Sequence, residues 1–149
     1  MKGSRRCGLS VVLTLASHLA MNGAAAAAST MEKPDMWMTV GEQRFAITLA
    51  DNAAARAFVA SLPLTLDMSD LNRNEKYATL PQAFPAQESK PGAIRNGDLM
   101  LYGTDTLVLF YLDFQTAYAY TRLGRVEDTA KLAQALGRRG VQVTFHRNR

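Results

Sequence analysis

The sequence predicts a mainly β, α+β domain: a closed or nearly closed β-barrel of about eight short strands with two helices. Three observations carry this expectation. Leu107-Val-Leu-Phe-Tyr-Leu112 is the longest apolar run outside the N-terminus, and its bounding turn residues mark a strand covered on both faces. Strand-like segments at 98–102 and 118–123 flank that run, joined to it by Gly103-Thr104-Asp105 and by residues 113–116, so the three segments read as a β-meander. The element order (two strands, a helix, several strands, a helix, a closing strand) lacks the regular βα alternation of a parallel sheet.

In chain order, MWMTV at 36–40 and RFAITL at 44–49 flank Gly41-Glu42-Gln43 and predict a first hairpin. Phe45, Ile47 and Leu49 alternate with Ala46 and Thr48, which gives the second strand one heavy face. Asp51 offers an N-cap to a helix over 52–62, where Ala54, Phe58 and Leu62 share a face and Pro63 ends the element. Leu64, Leu66 and Met68 alternate with Thr65 and Asp67, as in a half-buried strand. Residues 70–77 are polar and turn-rich, and 77–80 form a short strand. Pro81, Pro85, Pro91 and Gly92 punctuate an irregular stretch to Asn96, long enough to be either a binding element or tolerated surface. A second helix is expected over 128–136, with acids at its start and Gly137 at its end. Val141, Val143 and Phe145 then alternate with polar residues in a closing strand.

The first 28 residues read as an address. Lys2, Arg5 and Arg6 precede an apolar stretch over 7–21, and the alanines at 24–28 offer small-residue cleavage sites after Ala26, Ala28 or nearby. This is the pattern of a secretory signal peptide. The apolar stretch is shorter than the roughly 20 residues of a spanning helix. Ser4-Arg5-Arg6-Cys7-Gly8-Leu9 partly matches a twin-arginine signal, but Gly8 stands where a bulky apolar residue belongs, so general secretion is the expectation. The expected organisation is a signal peptide over 1–28, a leader over 29–35 and a barrel domain over 36–147. The expected location is the periplasm or the medium, with no membrane span after signal removal.

Composition narrows the chemistry. Of 149 residues, 48% are hydrophobic and 20% charged, ordinary values for one domain with a full core. The formal charge of +4 is misleading, because three cations precede residue 29 and the remainder carries 14 cations against 13 acids. A near-neutral body does not support a nucleic-acid footprint, and no nucleic-acid partner is expected. Cys7 is the only cysteine, so the mature chain has no disulfide, thiol nucleophile or thiolate metal site.

Several strings, taken in order, carry a resemblance: LPLTLDMSDL at 62–71, NEKY at 74–77, GDLMLYG at 97–103, LFY at 109–111 and YAYTRLG at 118–124. Together they resemble the bacterial cyclophilin-like domain family, small barrels related in fold to the peptidyl-prolyl isomerases, over roughly 36–145. The resemblance implies a fold and no settled activity. Phe145-His146-Arg147 matches the Phe-His-Arg of active cyclophilins in letters alone. That tripeptide lies early in those enzymes, beside the first helix, whereas here it ends the last strand, so no catalytic role is transferred.

The remaining chemistry is sparse. His146 is the one histidine beyond the signal, and no Gly-x-Ser-x-Gly elbow accompanies Ser61, Ser69 or Ser89. Residues 70–74 begin like a calcium loop, but Glu75 stands at the turn-glycine position and Pro81 at the twelfth. No metal or cofactor is expected. The candidate ligand-binding residues are Glu75, Tyr77, Asp98, Tyr102, Tyr111, Tyr118, Tyr120 and Arg122. Tyr118, Tyr120 and Arg122 share one strand face by the period of two and suit a groove for a peptide or small molecule, with Arg122 pairing a carboxylate; if that face is core instead, Arg122 is expected to be anchored by a carboxylate such as Glu75. The competing reading is an aromatic ladder that only stabilises the barrel. The sequence therefore points to an exported binding module, with an atypical prolyl isomerase of the cell envelope as the alternative.

Overall fold

The computed structural model describes residues 35–147. Ten strands and two helices follow the chain: β1 (Met36–Val40), β2 (Gln43–Leu49), α1 (Ala53–Ala60), β3 (Leu64–Leu71), β4 (Glu75–Thr79), β5 (Ala93–Ile94), β6 (Asp98–Tyr102), β7 (Thr106–Phe110), β8 (Phe114–Gln115), β9 (Thr121–Val126), α2 (Leu132–Leu136) and β10 (Val141–Arg147). Eight of them close a barrel in the order β1-β10-β3-β4-β7-β6-β9-β2, while β5 and β8 pair separately. Every pairing is antiparallel. Closure removes the exposed sheet edges that short strands cannot otherwise protect.

Turn chemistry sets the hairpins. Val40 pairs with Gln43 around Gly41, whose φ of +57° a two-residue hairpin turn favours. Between β3 and β4, Asn72 and Arg73 both take positive φ (53° and 58°), and the Asn74 amide donates to the Leu71 carbonyl at 3.2 Å. Asparagine tolerates that region, whereas an arginine there is disfavoured by roughly 1–2 kcal/mol. Asp70 helps hold it by accepting the Arg73 amide at Oδ1, 3.1 Å away.

The core divides by strand face. On β6 and β7, Leu99, Leu101, Leu107 and Leu109 point into the barrel, beside Met36, Met38, Ile47, Val143 and Phe145. Met100, Val108 and Phe110 face outward but are also buried, in a second cluster with Ile94, Tyr120 and Phe114. The apolar run is thus covered on both faces, as its composition predicts. Helix α1 contributes Phe58, which meets Phe145 edge-on at 5.4 Å and Phe84 at 6.2 Å. Since α1 leads into β3 and α2 into β10, antiparallel neighbours, the helices enter at opposite ends of that pair.

Three expectations need correction. The central segments are not a meander: β9 pairs with the far edge of β6, and the second neighbour of β7 is β4. After Tyr111 the chain must cover Val108 and Phe110, so residues 113–116 carry β8 across the outside of the barrel and pair it with β5. Helix α1 is capped by Asn52 rather than Asp51, its Oδ1 accepting the Ala55 amide at 2.8 Å. Helix α2 starts at Leu132 rather than near Asp128, because the Asp128 carboxylate closes a turn onto the Ala130 amide at 3.0 Å. The expected signal peptide lies outside the described residues.

Candidate functional site

A groove of about 670 Å³ lies on the outer surface of the barrel over β4, β7 and β6. The period of two turns Glu75 and Tyr77 of β4, Thr106 and Val108 of β7, and Tyr102 of β6 to this face. The β3–β4 turn closes one side with Leu71, Asn72 and Asn74, and residues 114–118 with Tyr120 form the facing wall.

That wall is built by the long irregular segment behind it. Ser89 and Tyr120 exchange backbone hydrogen bonds at 2.9 and 3.0 Å, the Thr116 amide donates to the Gly92 carbonyl at 2.8 Å, and Gln87 donates to the Thr121 hydroxyl at 2.8 Å. Phe84 and Ile94 anchor the segment in the two cores. None of residues 81–97 lines the groove itself. Their role is to hold the wall.

Aromatic contacts order the lining. Tyr102 meets Tyr118 at 6.3 Å, nearly perpendicular, and Tyr120 at 5.8 Å, and Tyr120 in turn stands edge-on to Phe110 at 5.5 Å. Such pairs fix ring positions, by roughly 0.5–1.5 kcal/mol each. Burial raises the Tyr120 hydroxyl above its ordinary range, with the Glu75 charge adding to it. Burial also raises the Glu75 carboxyl, and the nearby charge of Asp70 pushes it the same way. Glu75 is the one charged residue among those lining the groove. The other polar groups of the lining are the side chains of Asn72, Asn74, Thr106, Gln115, Thr116 and the four tyrosines.

Residues 38–146 match the Cyclophilin-like family. The chain belongs to that family. No curated protein and no solved structure matches it. In this cyclophilin-like barrel Phe145-His146-Arg147 serves the scaffold: Phe145 is core, His146 shares a hydrogen bond with Thr39 at 3.0 Å, and Arg147 donates to the Val59 carbonyl at 3.0 Å. None of the three lines the groove.

Five of the eight candidate residues meet in the groove: Glu75, Tyr77, Tyr102, Tyr118 and Tyr120. Arg122 is directed away from Glu75, to Asp98, at 3.1 Å. Asp98 is buried and also accepts the Arg95 amide at 3.0 Å, so this pair lines a smaller depression of about 350 Å³ with Arg95 and Arg125. Strand β9 begins only at Thr121 and is bulged, Leu99 facing Gly124 and Met100 facing Arg122, so Tyr118, Tyr120 and Arg122 do not form one continuous strand face. Tyr111 lies in the core, where its hydroxyl donates to Asp70 and burial pushes it well above the usual phenol range.

Sequence reasoning missed two features. The first is the wall from Phe114 to Ala117, read only as a turn. The second is Lys76, fully buried on the opposite face of β4 from Glu75 and Tyr77. It donates to Asp70 Oδ2 at 2.6 Å and to the carbonyls of Gly137 and Arg139 at 2.9 and 2.6 Å. Burial would raise the Asp70 carboxyl, but the hydrogen bonds from Lys76 and Tyr111 outweigh it and the net direction is down. This network anchors the turn that carries Asn72 and Asn74 to the groove. One signal was available: a lysine in phase with the apolar Ala78 on a short strand is at an inward-facing position and demands an acid partner.

Proposed function

We propose that this protein is an exported cyclophilin-like binding module whose outer groove takes a peptide or small molecule. One observation carries the reading. Among the described residues, five large hydrophobic side chains stand out as exposed, and four of them (Leu71, Tyr77, Tyr102 and Tyr118) line this groove. Exposed apolar surface gathered in one concavity, with a few polar groups among it, is what a binding site requires and what a barrel alone does not. The N-terminal signal pattern supports export.

A melting-shift screen of peptides and small metabolites, run on the wild type and on Tyr102→Ala, tests the reading. Compounds that raise the melting temperature of the wild type and not of the variant are expected. Hits that stabilise both proteins equally would place binding elsewhere and defeat it.

A further inference from the structure

We propose that the groove selects a basic peptide side chain, holding the ammonium or guanidinium head of a lysine or arginine between the Glu75 carboxylate and the tyrosine rings. This rests on the groove being the binding site and adds the charge of its ligand.

Glu75 supplies the first argument. It is partly buried, it alone is charged in the lining, and among the described residues no cation pairs with it. A carboxylate drawn out of water without a partner is costly to the fold, and its raised pKa reflects that cost. Such a group persists where a ligand supplies the missing charge. The rings supply the second. Tyr77, Tyr102, Tyr118 and Tyr120 surround the same space, and the electron-rich face of an aromatic ring attracts a cation that has left water. Their apolar bodies also suit the aliphatic stem of a long basic side chain.

An anion would meet the fields of Glu75 and Asp70. A neutral ligand of the same shape would leave the carboxylate desolvated and unpaired, so rejection of the uncharged isostere is the expected signature.

The test compares acetyl-Ala-Arg-Ala-amide with its citrulline counterpart, and adds free arginine amide, by titration calorimetry on the full chain. The arginine peptide is expected to bind at least about tenfold more tightly than the citrulline peptide. Glu75→Gln should erase that preference, and calorimetric melting should show the variant no less stable at neutral pH, since a raised carboxyl pKa means ionisation opposes folding. Tyr118→Leu, at a highly exposed position, should weaken the arginine peptide more than the citrulline peptide. Equal binding of the two peptides overturns the charge selection and leaves the groove as a site. Binding of free arginine amide as tight as the peptide overturns the peptide source. Absence of heat with all three probes overturns this inference, while hits from the melting-shift screen would still uphold the groove.

Discussion

Replacing Lys76 by alanine removes the ammonium at the centre of the network beneath the β3–β4 turn. The Lys76 side chain is 0% exposed and that of Asp70 13%. Truncation leaves a largely buried carboxylate without its cation, orphans the carbonyls of Gly137 and Arg139, and opens a cavity at the barrel end. Breaking a buried pair from one side costs about 3–5 kcal/mol, because the other charge stays behind. Lys76→Met fills the same space without the charge, so Asp70→Asn combined with Lys76→Met should recover much of that loss. Urea melts of the three proteins measure both quantities. A loss below about 1 kcal/mol for Lys76→Ala would refute the reasoning, since that is the range of a solvated surface pair. The pH dependence follows in sign. Asp70 has its folded pKa below its ordinary value, so its contribution is fully present above the ordinary carboxylate range and is lost as pH falls through the folded pKa. Wild type should therefore lose stability on acidification below that range, and the double variant should lose less.

Three further outcomes are expected. Gly124→Ala should destabilise by about 1–3 kcal/mol in denaturant melts, the cost of overpacking, because its Cβ would meet the Thr48 carbonyl oxygen at 2.5 Å, and backbone cannot yield as a side chain can. In a protease-coupled assay on an X-Pro peptide, no acceleration should scale with protein concentration, since Arg147 is committed to the Val59 carbonyl away from the groove; a rate that falls in Arg147→Ala would contradict this. Mass spectrometry of the exported protein should find an N-terminus between Ala24 and Met31, and soluble material retaining Met1 would contradict the signal-peptide reading.

The barrel was legible because periodicity reports faces. Leu107 to Phe110 could be buried on both sides only with a second layer outside the sheet, and that layer exists in Ile94, Phe114 and Tyr120. Strand adjacency was not legible. Nothing local tells β9 to pair with β6 rather than β7, because that choice depends on β4 occupying the other edge. The groove was half legible for the same reason. Tyr102, Tyr118 and Tyr120 stood out as polar aromatics, and Glu75 and Tyr77 as neighbouring polar groups, but residues 70–77 read as a turn, so the common face of Glu75 and Tyr77 on β4 was not legible. Arg122 does have the carboxylate anchor expected of a structural residue, but cross-strand geometry beside the bulge makes it Asp98 rather than Glu75. The network around Lys76 was not legible because its partners lie 6, 61 and 63 residues away in sequence.

The central claim is that the outer groove over β4, β7 and β6 binds a ligand. Amide chemical-shift mapping with the tightest compound from the melting-shift screen tests it most directly. Saturating shifts should cluster on Asn72–Tyr77, Tyr102, Thr106 and residues 114–120, leaving the amides of Arg95 and Arg125 unmoved. Shifts centred instead on Arg95, Arg122 and Arg125, or spread without a focus, would contradict the account.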